Sequence, residues 1–545
     1  MLGVILATLI CAAPATDALE LRAKTDALFA EWNIPDSPGC AVAVYRDGAI
    51  VYERGFGQAS LELSVPITPQ TVFDIGSTSK QFTAACIGLL ALDKQLGLDD
   101  DIRKFLPEMP ELAKPITVRH LLNHTSGLRD YIEVMLLAGF RIQDRTTCAE
   151  TYAAITRQKT GNFAPGERHL YSNTGYFLLA QIVERVSKKS LRDFARERIF
   201  DPLEMKHTEI LDDCTHVVRN KANSYSVVAG GFATETSDWE QTGDGAVQTT
   251  VGDLQRWDEN FYTGKVGGPE LKAILLTRGK LNDGAQLDYC AGLVVGEQRG
   301  LATVRHGGSW VGFRAEFLRF PAQHVSVVCL CNLGSMNPSA LADRVAEVWL
   351  AAEMSHDPRS EPGGAADTRP AVKIEAQHLV PLVGRYVYDD IAVRIELDND
   401  ALTVSGTGVR PGRLTPLGNQ RFRREGGGTP LDVVFSSDSM RFEFRDGRRW
   451  EFKLSEEWKP AAGELARFVG NYWSDEVGAA LELEIVEGVL TVVRHRTLDT
   501  LQLTPFSKDS FTCDLGRLTF RTAQQKVSGF TIDGGRARGL TYERR

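Results

Sequence analysis

The sequence predicts an α/β protein: an antiparallel sheet flanked by helices and interrupted by an inserted helical region, followed by two small antiparallel β-barrel domains. Three observations lead there. Apolar strand patterns stand near the two ends of residues 19–354, helical spacing fills the stretch between them, and the last third of the chain repeats itself. A chain of 545 residues also exceeds what one hydrophobic core usually serves, so several domains are expected.

Residues 21–32 space Leu, Leu and Trp as a helix does. Residues 40–45 and 49–52 then flank Arg46-Asp47-Gly48, and an Asp-Gly pair between apolar runs signals a hairpin. From residue 121 to about 257 the pattern is mostly helical, with apolar residues of 176–186 recurring every three or four positions. Strand character returns at 301–305, 313–320 and 325–330. A helix over 339–352 follows, with Ser339 as its expected N-cap. Two early strands and three late ones imply one sheet closed by distant parts of the chain.

Residues 355–372 combine Pro, Gly and charge without periodicity and read as a linker. Beyond them Leu382-Val-Gly-Arg-Tyr386 recurs as Phe468-Val-Gly-Asn-Tyr472, Leu402-Thr-Val404 as Leu490-Thr-Val492, and Leu414-Thr-Pro416 as Leu503-Thr-Pro505. The constant order predicts two copies of one unit, over 373–459 and 460–545. Short alternating strands between turn residues make each a small barrel or curved sheet.

The formal net charge of -9 and the pI near 5.7 argue against a nucleic-acid binder, which would need a basic face to neutralise phosphates. The apolar run within residues 1–18 is shorter than a membrane span and ends in small residues suited to cleavage near Ala15 or Ala18, although no Lys or Arg precedes it. A periplasmic or secreted protein without a stable membrane anchor is expected. Outside that segment Cys40, Cys86, Cys148, Cys214, Cys290, Cys329, Cys331 and Cys513 are scattered without a CxxC pair, which suits buried thiols better than a zinc site or a disulfide framework. No metal and no cofactor is expected.

Three short stretches carry candidate chemistry. In Ser77-Thr-Ser-Lys80 the spacing puts both functional side chains on one helix face, about one turn apart. A serine hydroxyl becomes a useful nucleophile beside a base. Lysine is protonated in water at neutral pH, so this role asks for burial or for a proton shared with a tyrosine. The other reading is a polar helix opening whose apolar face begins at Phe82. Tyr171-Ser172-Asn173 follows Pro165-Gly166 and precedes a helix, so its phenol could shuttle protons and its amide could meet a substrate carbonyl. A packed Tyr and an Asn cap are the alternative. His306-Gly307-Gly308 follows an apolar strand, where missing side chains let substrate approach backbone. There the Ser309 and Ser77 amides could form an oxyanion hole. His120-Leu-Leu-Asn-His124 lacks the glutamate of HExxH and reads as core or capping.

Taken together, and in this order, the three stretches resemble the penicillin-recognising serine hydrolases, which include class C β-lactamases, DD-peptidases, related esterases and D-aminopeptidases. Residues 115–128 and Gly243-Asp-Gly-Ala-Val-Gln-Thr-Thr250 are similar to framework segments of that family, and the resemblance covers roughly 21–352. Within it Ser79-Lys-Gln-Phe-Thr83, Ser126-Gly-Leu-Arg-Asp-Tyr131, Ala537-Arg-Gly-Leu-Thr-Tyr542 and the two barrels look most like bacterial D-aminopeptidases.

The resemblance implies a β-lactamase/transpeptidase-like domain over 19–354 and an acyl-enzyme mechanism. Ser77 would attack, Lys80 and Tyr171 exchange its proton, Asn173, His306 and Gly308 position substrate, and Ser309 help hold the oxyanion. By the same resemblance a loop at 494–499 would reach the active site with Asp499 facing a substrate ammonium, although Arg494, His495 and Arg496 would oppose one. The expected substrate is a small peptide, amide or ester, with release of N-terminal D-amino acids as the first reading. An esterase or a penicillin-interacting peptidase is the alternative enzyme, and a muropeptide- or partner-binding envelope protein the alternative of another class. A homodimer is compatible with all of these.

Overall fold

The computed structural model describes residues 15–112, 114–355, 372, 374–388, 391–406, 409–418, 420–425, 431–444, 449–456, 458–494, 496–524 and 526–545. The chain divides into two compact units, Met1–Ile132 with Arg141–Ser355, and Glu133–Phe140 with His356–Arg545.

The first unit is built on a six-stranded antiparallel sheet in the order Val294–Gln298, Leu301–Trp310, Phe313–Phe320, Val325–Cys331, Cys40–Arg46, Ala49–Phe56. The early hairpin and the late strands join where Cys40–Arg46 pairs with Val325–Cys331, as the strand pattern implies. Each strand side has its own core, because side chains alternate across a sheet. On one face Val42, Val44, Leu318, Phe320 and Val327 pack with Leu341, Val345 and Trp349 of the helix Pro338–Trp349. On the other, Arg319 is 1 % exposed and its Nε donates to Asp258 Oδ1 (2.8 Å) on the helix Val251–Thr263. Burial on both faces explains why Val325–Cys331 shows no polar alternation: its one polar residue, Ser326, is buried and donates to Asp258 Oδ1 (2.9 Å).

The strand Val294–Gln298 is additional to the expected five. It is a partly exposed edge without alternation, so its sequence carries no period-2 signal. The strand beginning at Leu301 continues through the glycines to Trp310, held by Gly307 opposite Glu316 and Gly308 opposite Ala315. The last helix of this unit is capped by Asn337, whose side chain accepts from the Ala340 N–H (3.1 Å), with Pro338 in its first turn; Ser339 instead donates to Glu316. Ser339 as N-cap is thereby corrected: Asn-Pro is the stronger start signal. The middle region is less helical than its spacing implies. Helices Cys148–Thr156, Asn173–Ser187 and Val251–Thr263 are present, but residues between 206 and 250 form loops and the short strands Tyr225–Val228, Gly231–Thr234 and Val247–Thr249. That stretch is rich in Asp, Asn, Ser, Thr and Gly, which favour turns over helix interiors.

In the second unit eight strands from Gly384–Tyr388 to Arg449–Leu454 close a barrel around Val393, Leu402, Phe422, Val433 and Phe442. A nine-stranded sheet follows, and its edge strands Asp499–Gln502 and Thr504–Ser507 are consecutive in the chain, so the sheet curls until its ends nearly meet. The sequence repeat is a structural one. A short helix and a 3-10 turn precede Gly384 and again Gly470, and the tyrosine two residues on donates to a carbonyl four residues back, Tyr386 to Leu382 (3.1 Å) and Tyr472 to Phe468 (2.7 Å). The expected linker lies outside the described residues except at its two ends. The expected leader does too, save that the helix Ala15–Leu28 begins within it. Among the described residues no helix is long and apolar enough to cross a membrane.

Candidate active site

Ser77 sits in the 3-10 turn Gly76–Ser79, which runs directly into the helix Lys80–Leu92. Buried Asp74 fixes this turn from below: its Oδ1 accepts from the Gly76 N–H (2.7 Å) and its Oδ2 from Gln248 Nε2 (2.7 Å). The helix is buried from Lys80 through Leu90, polar Gln81 and Thr83 included, so packing on all sides immobilises it. Ser77 itself is half-buried at its mouth. The helix-opening reading and the nucleophile reading thus describe the same element.

Lys80 is fully buried, and its Nζ reaches Asn173 Oδ1 (2.9 Å), the Asp244 carbonyl (2.6 Å) and Ser77 Oγ (3.1 Å). Carbonyl oxygens only accept, so two of these bonds use Nζ–H groups whatever the charge on the lysine. The third direction at Nζ points to Ser77. As an ammonium Lys80 donates there; as a neutral amine it presents its lone pair to the Ser77 hydroxyl. Two carbonyls therefore aim the amine at the serine in both states, the geometry general-base activation needs.

The Tyr171 ring lies 4.9 Å from Lys80 Nζ, at the entry to the helix Asn173–Ser187. Three residues outside the Tyr171-Ser172-Asn173 stretch hold it there. The His124 backbone carbonyl accepts from the Leu170 N–H (3.0 Å), His124 Nδ1 accepts from the Ser172 N–H (3.1 Å), and the His124 ring lies 4.2 Å from the Tyr171 ring. Asp130 Oδ2 accepts from the Asn173 N–H (2.7 Å), and Thr174 Oγ1 links the Tyr131 N–H to the Arg129 carbonyl. Burial pushes the His124 pKa well below the usual range, with the nearby Lys80 charge adding to it, so this ring is a neutral acceptor. His120 is a cap, its Nδ1 accepting from the Thr117 N–H (3.1 Å).

The third stretch passes close over the serine turn. A Cβ on Gly308 would come 1.9 Å from the Ile75 carbonyl oxygen, and one on Gly76 (φ +48°) 2.6 Å from the Ser309 nitrogen, while Thr78 Oγ1 donates to the His306 carbonyl (3.2 Å). Only glycine permits this approach, which brings the Ser309 amide beside the Ser77 turn, where the first N–H groups lack helical acceptors. His306 Nδ1 lies 2.6 Å from the Gly307 carbonyl and Nε2 3.0 Å from the Tyr289 hydroxyl. Because a carbonyl cannot donate, Nδ1 carries the proton and Nε2 accepts from Tyr289. Burial first, and the Lys80 charge second, lower the His306 pKa to about 4. Both ring nitrogens are engaged and the ring is neutral.

Asp244 adds an anion that the sequence reading did not single out. Its Oδ2 accepts from the Tyr131 hydroxyl (3.0 Å), its backbone carbonyl holds Lys80, and burial raises its pKa to about 6 against the lowering effect of Lys80. Aromatic rings continue from there: Tyr131 lies 6.1 Å from Trp239, and Trp239 6.0 Å from Trp310, the neighbour of Ser309. Asp499 lies in the second unit, where Arg494 Nε donates to its Oδ1 (2.8 Å) and a second guanidinium nitrogen and Thr497 also donate to it. The cation it holds is the chain's own, and that bond keeps its pKa below the usual carboxylate value. Asp213, Cys214 and Glu240 are grouped closely enough for a metal ion, but Arg145 already occupies Glu240 (2.7 Å).

The fold, with half-buried Ser77 and Tyr171 set beside the buried Lys80, points to a serine hydrolase. The family model described as Beta-lactamase matches residues 26–351, and the chain belongs to that family. Penicillin-binding protein 4* of Bacillus subtilis is 29% identical over 401 residues, covering 70% of this chain and 86% of its own. A D-aminopeptidase of Brucella anthropi is 25% identical over 542 residues, covering 93% and 95%, so this likeness runs through the barrels as well. Among solved structures the octameric penicillin-binding protein homologue from Pyrococcus abyssi superposes with a TM-score of 0.56 at 24% identity, over 81% of this chain and all of that one.

Proposed function

We propose that this protein is an aminopeptidase that releases N-terminal D-amino acids from small peptides or amides through an acyl-enzyme on Ser77. The observation that carries the proposal is the Lys80 amine, aimed at Ser77 Oγ by two carbonyl acceptors with the Tyr171 ring beside it. Ser77 Oγ attacks the scissile carbonyl as its proton passes to Lys80 and Tyr171. The Ser77 and Ser309 amides receive the developing oxyanion, and the proton goes on to the leaving amine. Water then repeats the sequence on the ester. Export through the leader of residues 1–18 belongs to the same proposal.

The substrate reading is supported by the full-length likeness to a D-aminopeptidase and by the state of His306. A neutral imidazole with both nitrogens engaged offers no charge to a substrate carboxylate, which disfavours carboxypeptidase-type substrates and suits amides and peptides recognised at their amino end. The same feature also suits an esterase, the second reading. D-alanine p-nitroanilide, p-nitrophenyl butyrate and a chromogenic cephalosporin tested side by side separate the readings. Turnover of the first is expected, with its loss and the loss of fluorophosphonate labelling in Ser77→Ala. Butyrate turnover alone would establish the esterase, and labelling that persists in Ser77→Ala would remove the serine from the mechanism.

A further inference from the structure

Cys40 opens the first strand of the catalytic sheet and Cys331 closes the last, and the register sets them directly opposite each other. Their Sγ atoms lie 2.9 Å apart across 291 residues of chain, and both side chains are fully buried. Directly opposed residues of an antiparallel pair have Cα atoms about 4.5 to 5.5 Å apart, inside the span of about 4.4 to 6.8 Å that a disulfide bridges. Cys329 points to the same face of its strand, two residues before Cys331, and belongs to the same core cluster. Scattered in sequence, three of the eight cysteines outside the leader are thus gathered at one seam.

From this register we infer that Cys40 and Cys331 form a cross-strand disulfide when the chain folds in an oxidising compartment, leaving Cys329 as the third, unpaired thiol of the cluster. The oxidant is a disulfide of a protein or of a small thiol. One cysteine, as thiolate, attacks it to form a mixed disulfide and expel one thiol. The second cysteine then displaces the other, so that two electrons and two protons leave the chain and two oxidant thiols are released. The step belongs to folding, before the core closes, because the finished core excludes solvent and burial raises the Cys40 thiol's pKa. The bond would staple the seam between the N-terminal hairpin and the strands contributed by residues 294–331, where the sheet is joined by chain segments nearly 300 residues apart. Closing so long a loop restricts the unfolded chain strongly.

The test is a peptide map of the chain from residue 19 onward, which holds the eight cysteines other than Cys11, secreted or refolded in a glutathione redox buffer and then alkylated in denaturant. One linked peptide pair, Cys40 with Cys331, is expected, with six alkylated cysteines and an intact mass about 2 Da below the reduced form. Reducing and refolding the same protein should lower its Tm by about 5 °C. A Cys40→Ser/Cys331→Ser variant should show no such reductant effect, while Cys329→Ser should keep both the link and the shift. If the double variant fails to fold, the wild-type map still decides. Eight alkylated cysteines, or a link through Cys329 or any other partner, would overturn the inference.

Discussion

His306 and Tyr289 share a buried hydrogen bond of 3.0 Å in which the phenol donates and the imidazole accepts. A histidine held this way is neutral in the native state and free to charge only on unfolding. Its native pKa is about 4 against an ordinary value of 6.5, and Asp244, which also feels the Lys80 charge, is displaced in the opposite direction, from 3.8 to about 6.

These two groups make opposed contributions to stability in acid. Between their two pKa values the unfolded chain holds a proton at His306 that the native state lacks, so that contribution is complete above pH 6.5 and falls as pH drops toward 4. At Asp244 the native state holds the extra proton, so its contribution is complete below pH 3.8 and is lost as pH rises through about 6. Each shift corresponds to about 3 kcal/mol at its limit, so the two nearly cancel across their common window. Urea unfolding at intervals through that window should show His306→Gln losing stability as pH rises and Asp244→Asn gaining it, with wild type flatter than either. Parallel profiles for all three proteins would contradict the assignment.

Lys80→Arg tests the aiming of the amine. Three acceptors surround a compact donor here, and a planar guanidinium neither fits that arrangement nor gives up its proton. A fall in kcat/KM of about 10² to 10⁴-fold is expected. Retention of a tenth of wild-type activity would show that Tyr171 or another group activates Ser77 alone.

Gly308→Ala separates a catalytic requirement for glycine from a folding one. The new methyl would meet the Ile75 carbonyl oxygen at 1.9 Å and Thr78 Oγ1 at 2.9 Å, pushing the strand away from the Ser77 turn. Stability should fall by about 1 to 3 kcal/mol, while a displacement of the order of 1 Å lowers kcat by about 10²-fold. Gly463→Ala, where a Cβ meets nothing within 4 Å, is the control and should leave the rate unchanged. Equal rates for Gly308→Ala and wild type would mean that the turn and the strand need not touch.

What was legible in the sequence was whatever local spacing encodes. Ser77 and Lys80 are one helical turn apart, Asn173 follows Tyr171 by two residues, and His306 ends an apolar run, so each candidate could be named from its neighbours. The residues that hold them could not. Tyr289, Asp244, Asp130 and His124 reach the site across 17 to 164 residues, and nothing adjacent to them distinguishes a positioning group from a core one. Residues 120 and 124 show how far pattern reaches: a core or capping role describes both, but only the fold reveals that the core His124 belongs to is the Tyr171 loop. The 494–499 hairpin makes the converse point. Its Arg494 signalled a problem for an ammonium at Asp499, and in the structure that arginine is bound to the carboxylate.

His124 also supplies the sharpest test of whether Tyr171 works as a proton carrier, because it touches that loop on both sides without reaching Ser77. Its φ of +55° is one that asparagine tolerates and β-branched residues resist, so valine and isoleucine are avoided. Its Nδ1 is the acceptor for the Ser172 N–H, and removing it leaves a buried donor unpaired at about 1 to 3 kcal/mol. His124→Leu therefore loses the acceptor while filling the space, and His124→Asn keeps the backbone geometry and offers an oxygen in place of the nitrogen. A fall of about 10²-fold in kcat with little change in KM is expected for His124→Leu, since proton transfer is affected and substrate binding is not. His124→Asn should recover about tenfold of that loss. If both variants lose stability alike yet turn over substrate at the wild-type kcat, Tyr171 does not need its anchor, and its part in proton transfer falls with it.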